Sequence, residues 1–218
     1  MNYKLLYVLS VLGVLGGILM FAGDMFFYFE PVSGSGFDSL RIMSGRSIKQ
    51  LIIGGMLGPI AGIFYALGSL IFYFAFRSIS NSLSKIISGS WMAMFIIGGA
   101  YHSIYPNYGF VGRLPVEFRN GQINYVSDLI GQLYSLTFIL GLVSSLLLVY
   151  IILTRKTPFP KWIIFIIPTF LTLLNNVITP YVPYPLGAIV LGGWVNICFI
   201  IFFSVCAILF YRDYKKVD

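Results

Sequence analysis

Apolar residues along this chain come in long runs broken by short polar stretches, and they do not alternate as a half-buried strand would require. A helix needs roughly 20 apolar residues to cross the hydrocarbon core of a bilayer. Six segments meet that requirement, at about 5–29, 50–76, 86–105, 125–153, 162–179 and 186–211. Lipid offers no partner for backbone N–H and C=O groups, so each run is read as a helix that satisfies its own. The pattern therefore predicts one all-α domain over 1–218, a polytopic membrane bundle of six transmembrane helices. The fifth run is the shortest and carries Pro168, and Pro59 lies inside the second. Each proline is expected to kink its helix.

Composition agrees with the pattern. Of 218 residues, 58% are hydrophobic and only 10% charged, against about 25% charged in a soluble domain. Such a chain cannot cover its own surface with polar groups. The net charge of +7 is accordingly read as loop charge facing lipid headgroups, with no nucleic acid partner. The first apolar run continues past the roughly 15-residue limit of a signal-peptide core, so it is expected to be a retained span. Cys198 and Cys206 lie on one apolar run, about 12 Å apart along a helix axis. They are too far apart for a disulfide with each other and are expected to be packing residues.

Basic residues set the orientation. Lys4, Arg77, Lys85, Arg155, Lys156, Lys161, Arg212, Lys215 and Lys216 flank one set of span ends, and Arg41, Arg46, Lys49, Arg113 and Arg119 the other. The richer side is assigned to the cytoplasm, which places both termini there. Two of the outer connections, 30–49 and 106–124, are long. The third, 180–185, is stiffened by three prolines.

Small residues recur every fourth position in the second span, at Gly54, Gly58, Gly62 and Ala66, and at Gly13 and Gly17 in the first. Such faces let backbones approach closely, either within the bundle or between copies in a homo-oligomer.

The candidate chemistry lies in the few polar residues within the spans. Asp24 interrupts the first run; a charge at the bilayer centre costs about 2.5–3.5 kcal/mol on insertion scales and marks a functional site by default. His102, the only histidine, closes the third run beside Tyr101. Histidine is the side chain whose ordinary charge change falls near neutral pH. Asp128 and Gln132 open the fourth run, Asn175 and Asn176 end the fifth, Trp194 and Asn196 lie in the sixth, and Glu117 sits in an outer connection. At about 1.5 Å per residue, all of these fall in the outer half of the bundle, while stretches such as 146–152 and 200–203 are featureless. The asymmetry predicts a cavity in the outer half above a dry inner plug. Within it, His102, Asp24 and Asp128 are the candidate acid–base groups. Tyr101, Gln132, Asn175, Asn176, Trp194, Asn196 and Glu117 are the candidate ligand-binding residues.

Several chemistries find no footing. The chain has no Walker loop, GxSxG or HExxH motif and no second histidine. No metal site is expected, since zinc sites seldom rely on carboxylates for nearly every ligand, and no cofactor is expected.

The segments FAGDMFFYF, GGMLGPIAGIFYALG, IIGGAYHSIYP and LGGWVNICF resemble signature blocks of a small family of bacterial six-span membrane proteins without assigned function, which implies a multi-pass protein of the bacterial cell membrane. The combination of buried His, acidic residues, Asn and Trp is also similar to the emopamil-binding-protein-like sterol isomerases, which do acid–base chemistry on a lipid. That family places a carboxylate one turn from its histidine. Here Pro106 stands at that position, so the activity does not carry over. The expected function is binding of a membrane lipid or another lipid-like or amphipathic small molecule in the outer cavity, with proton transfer as the chemistry if that molecule is a substrate. A proton-coupled transporter and a structural or signalling membrane protein are the alternatives. Transport should leave polar groups across the whole thickness, and the inner halves have almost none.

Overall fold

The computed structural model describes residues 1–29, 39–178, 181–182 and 186–216, with their side chains except those at 39, 176, 186–188 and 191. Among the described residues the chain is all-α and contains no strand. Its helices are α1 (Tyr3–Tyr28), α2 (Ser39–Ser44), α3 (Ile48–Phe76), α4 (Asn81–Ile104), α5 (Asn107–Val111), α6 (Val116–Thr154), α7 (Pro168–Thr172), α8 (Asn175–Ile178) and α9 (Leu186–Tyr214), with a 3-10 helix over Lys161–Ile166 before α7. Five stretches are long and apolar enough to cross a membrane: Tyr3–Tyr28, Ile48–Phe76, Asn81–Val111, Val116–Thr154 and Gly192–Tyr214.

Local signals set several helix starts. Asn2 caps α1 by accepting from the Leu5 N–H at 3.0 Å. Ser47 and Gln50 form a reciprocal capping box on α3, and Ser80 caps α4. Each satisfies an N–H that the first helical turn leaves without a partner. Pro59 does not end α3, which runs unbroken past it. Pro168 behaves differently. The residue before a proline is forced toward extended backbone, and Ile167 adopts φ −60°, ψ 125°. Pro168 then starts α7, where its missing N–H costs nothing. The fifth apolar run is thus a broken ascent of a 3-10 helix and two short helices, in place of one continuous helix.

The long helices pack as antiparallel neighbours. Gly16 of α1 meets Ala61 and Tyr65 of α3, and Gly23 meets Gly54. Gly58 and Gly62 of α3 meet Gly99, His102 and Phe95 of α4. The opposite side of α1 lies on α9, where Gly17 faces Ile200, and Met94 of α4 lies against Gly141 of α6. The small-residue faces are therefore covered within the chain. A methyl group added at Gly58 would stand 2.7 Å from His102 Cβ and 2.9 Å from the Gly99 carbonyl, so only glycine permits this approach.

Tyr7 and Tyr211 place their rings 5.4 Å apart, so the first and last helices begin and end at the same end of the bundle. That terminal end holds the main core, in which Trp91 is ringed by Phe72, Phe95, Phe199, Phe202 and Phe203. The fifth run starts there, with Phe159 against Phe76 and Phe210. It climbs until the Leu171 carbonyl accepts from Trp194 Nε1 at 2.9 Å. From Phe159 to Leu171 is twelve residues, and from Phe210 back to Trp194 about 24 Å of α-helix. A chain rising about 2.0 Å per residue, as a 3-10 helix does, covers that distance.

The far end is closed by α2 and α5. Arg46 donates from Nε to the Phe27 carbonyl at 3.1 Å and also to the Phe29 carbonyl, satisfying acceptors that the end of α1 leaves open. Arg113 donates to the Ser44 carbonyl at 3.1 Å and to the Arg46 carbonyl. The expected connection 106–124 is largely helical, being α5 and the first turns of a 39-residue α6. Of the connection 30–49, residues 30–38 lie outside the described residues, as do 180 and 183–185 of the third turn.

Candidate functional site

Four long helices meet around Asp24. His102 Nε2 of α4 lies 3.1 Å from its Oδ1. Asn196 Nδ2 of α9 donates to Oδ2 at 2.6 Å. The phenol of Tyr65, from α3, donates to Asn196 Oδ1 at 3.0 Å. Asp24, His102 and Asn196 are 8%, 5% and 7% exposed, and Tyr65 is 1% exposed, so the network is largely buried. A buried polar group costs free energy unless it is hydrogen-bonded, and here each member supplies the partner of another.

The directions of these bonds identify the acceptor. An amide oxygen cannot donate, so Tyr65 must donate to Asn196. That turns the Asn196 NH2 toward Asp24 Oδ2, while Oδ1 faces His102 Nε2. The other histidine nitrogen, Nδ1, is buried without a partner, beside Gly58. The ring is held in place by Phe27, stacked at 4.8 Å and 28°, and by Gly23, which leaves just enough room for Cε1.

Asp24 stands in the wall of a half-open cavity of about 430 Å³ between α1, α3, α4, α6, α7 and α9. This is within the range of small-molecule sites, about 300–1,000 Å³. Eight of the twenty lining residues are Tyr or Phe. Tyr28, Tyr101, Tyr105 and Tyr134 form one linked group of rings, and Tyr65, Phe95 and Phe199 form another. Phe138 of α6 and Val195 of α9 both line the cavity and are 42% and 44% exposed. Tyr134, also in the lining, is 54% exposed. Toward the terminal end, the aromatic core around Trp91 closes the cavity off.

The structure brings together three of the expected residues, Asp24, His102 and Asn196, and sets Tyr101 in the cavity wall. Others are elsewhere. Asp128 and Gln132 are exposed on α6, along a shallow groove apart from the cavity. Glu117 is exposed in the first turn of α6. Trp194 ties α9 to the fifth run. Asn175 is half-buried on α8 and does not line the cavity, and the side chain of Asn176 lies outside the described residues. Tyr65 was not expected at the site. The available signal was its position three residues after Gly62, on the face of α3 that packs inward. Among the described residues, no cluster of three His, Cys, Asp or Glu side chains could hold a metal ion.

No curated protein and no solved structure matches the chain. A model of the family of unknown function DUF6796 matches residues 1–213, so the chain belongs to that family.

Proposed function

We propose that this is a multi-pass protein of the cell membrane whose cavity holds a lipid-like or amphipathic small molecule drawn sideways from the bilayer. The observation that carries the proposal is the cavity itself, an aromatic pocket of about 430 Å³ with one hydrogen-bonded carboxylate in its wall. The exposed rim residues Phe138 and Val195 would face acyl chains, which gives an apolar tail a way in.

In this reading the broken run from Phe159 to Leu171 counts as a crossing, for six in all. Tyr7 and Tyr211 then lie at the cytoplasmic face with the denser set of basic residues. The cavity belongs to the outer leaflet. The chemistry favours binding over proton transfer, because a general base must present a nitrogen to its substrate. His102 has Nε2 on Asp24 and Nδ1 buried beside Gly58. Its role is to hold Asp24 in place. Transport is disfavoured by the packed aromatic core between the cavity and the terminal end.

Gly98 provides the test. It lines the cavity, and a Cβ added there meets nothing within 4 Å. Gly98→Leu should therefore fill the cavity without disturbing the fold. Mass spectrometry of lipid extracts should find a small molecule at stoichiometric amounts with the wild type and depleted with Gly98→Leu. Equal extracts from two equally stable proteins would rule the proposal out.

A further inference from the structure

We infer that the cavity selects amphiphiles with a cationic nitrogen head, bound at Asp24 and against the surrounding aromatic faces. This rests on the cavity reading above and adds the charge of the ligand.

Asp24 Oδ2 accepts from Asn196 Nδ2, and Oδ1 lies 3.1 Å from His102 Nε2. Among the described residues, the only ion-pair partner within reach of Asp24 is His102. Asp24 is the one acidic residue of a cavity wall that holds no lysine or arginine. A carboxylate in an apolar wall is normally paired with a cation, and a cationic ligand head would supply one. The carboxylate has capacity to spare, since an ionised Asp offers about four acceptor positions and two are in use.

Aromatic faces attract cations through the ring quadrupole, and most strongly where water is excluded. Tyr101 contacts both Tyr105 and Tyr134, at 5.3 and 6.4 Å between ring centroids, and Tyr28 meets Tyr105 at 5.8 Å. These rings turn at angles of 51° to 80° to one another, and all four line the cavity as a tyrosine cage. Asp24 and Tyr28 are one turn apart on α1, which places the carboxylate at the edge of that cage. Carboxylate and ring faces favour the same sign of charge. An anionic headgroup would meet repulsion from Asp24 and no basic residue.

The test uses the full chain in maltoside micelles, titrated with dodecyltrimethylammonium and, separately, with dodecanol, which has the same tail and an uncharged head. Native mass spectrometry reads the bound fraction. The ammonium compound should bind at least about tenfold tighter, and Tyr101→Leu should shrink that advantage by removing a cage ring while leaving Asp24 in place. If dodecanol binds as tightly as the cation, the charge selection is refuted and the amphiphile cavity stands. If neither binds the wild type, both readings fall.

Discussion

Asn196 Nδ2 lies 2.6 Å from Asp24 Oδ2 across 172 positions of sequence, and this contact joins the last helix to the first at the depth of the cavity. It explains why both residues tolerate an apolar setting. Each removes the desolvation cost of the other, and Tyr65 and His102 complete the set.

Asp24→Ala is expected to be the most destabilising of the network substitutions. It strands the buried His102 and Asn196 donors at once, at about 1–3 kcal/mol for each unsatisfied group. Asp24→Asn keeps the shape and one acceptor oxygen and should cost less. Equilibrium unfolding in mixed detergent micelles measures both. Equal stability of Asp24→Ala and the wild type would show that the network does not form.

Tyr65→Phe removes one hydroxyl from a site that is 1% exposed and leaves Asn196 Oδ1 without its donor. A loss of about 1 kcal/mol is expected. A double-mutant cycle with Asn196→Ala should show that the two effects are not additive.

Glycines 58 and 98 should respond in opposite ways to alanine. At Gly58 the new methyl group meets His102 Cβ at 2.7 Å and a backbone carbonyl at 2.9 Å, so α3 and α4 must separate. Overpacking of this kind costs about 1–3 kcal/mol. At Gly98 the methyl group meets open space, and the change should be neutral or slightly stabilising, since alanine is the better helix former. Thermal unfolding of the two variants side by side gives the comparison.

Cys198 and Cys206 are both 0% exposed, so thiol reagents should not label the folded wild type. That silence allows a topology test. New cysteines at Asn2 and Lys215 should react with a membrane-impermeant maleimide from the same side of sealed vesicles, and one at Phe118 from the opposite side. Labelling of Asn2 and Lys215 from opposite sides would contradict the six-crossing account.

Hydropathy was enough to locate the four helices that carry most of the packing, because a long apolar run in lipid has few alternatives to a helix. It placed Asp24 and His102 at similar depth. It could not say that Asn196 would reach Asp24 while Asp128 faces outward, because that depends on the rotation of each helix about its axis. The moment that would report rotation is weak when both faces are apolar, one toward lipid and one toward protein. The first turns of α6 were read as a connection for a related reason. Glu117, Arg119 and Asn120 are polar, and hydropathy reports burial in lipid and is blind to helix formation in water. Tyr65 escaped notice because a tyrosine in an apolar run is commonplace; only its place among the packing glycines marks it. The broken fifth run was visible in Pro168, but whether proline kinks a helix or starts a new one depends on the backbone of Ile167.

The most direct measurement is a density map of the full chain in nanodiscs made from its host membrane. An elongated feature should enter between Phe138 and Val195, with one end within hydrogen-bonding distance of Asp24. A cavity holding only water, with Asp24 bonded solely to His102 and Asn196, would contradict the binding proposal.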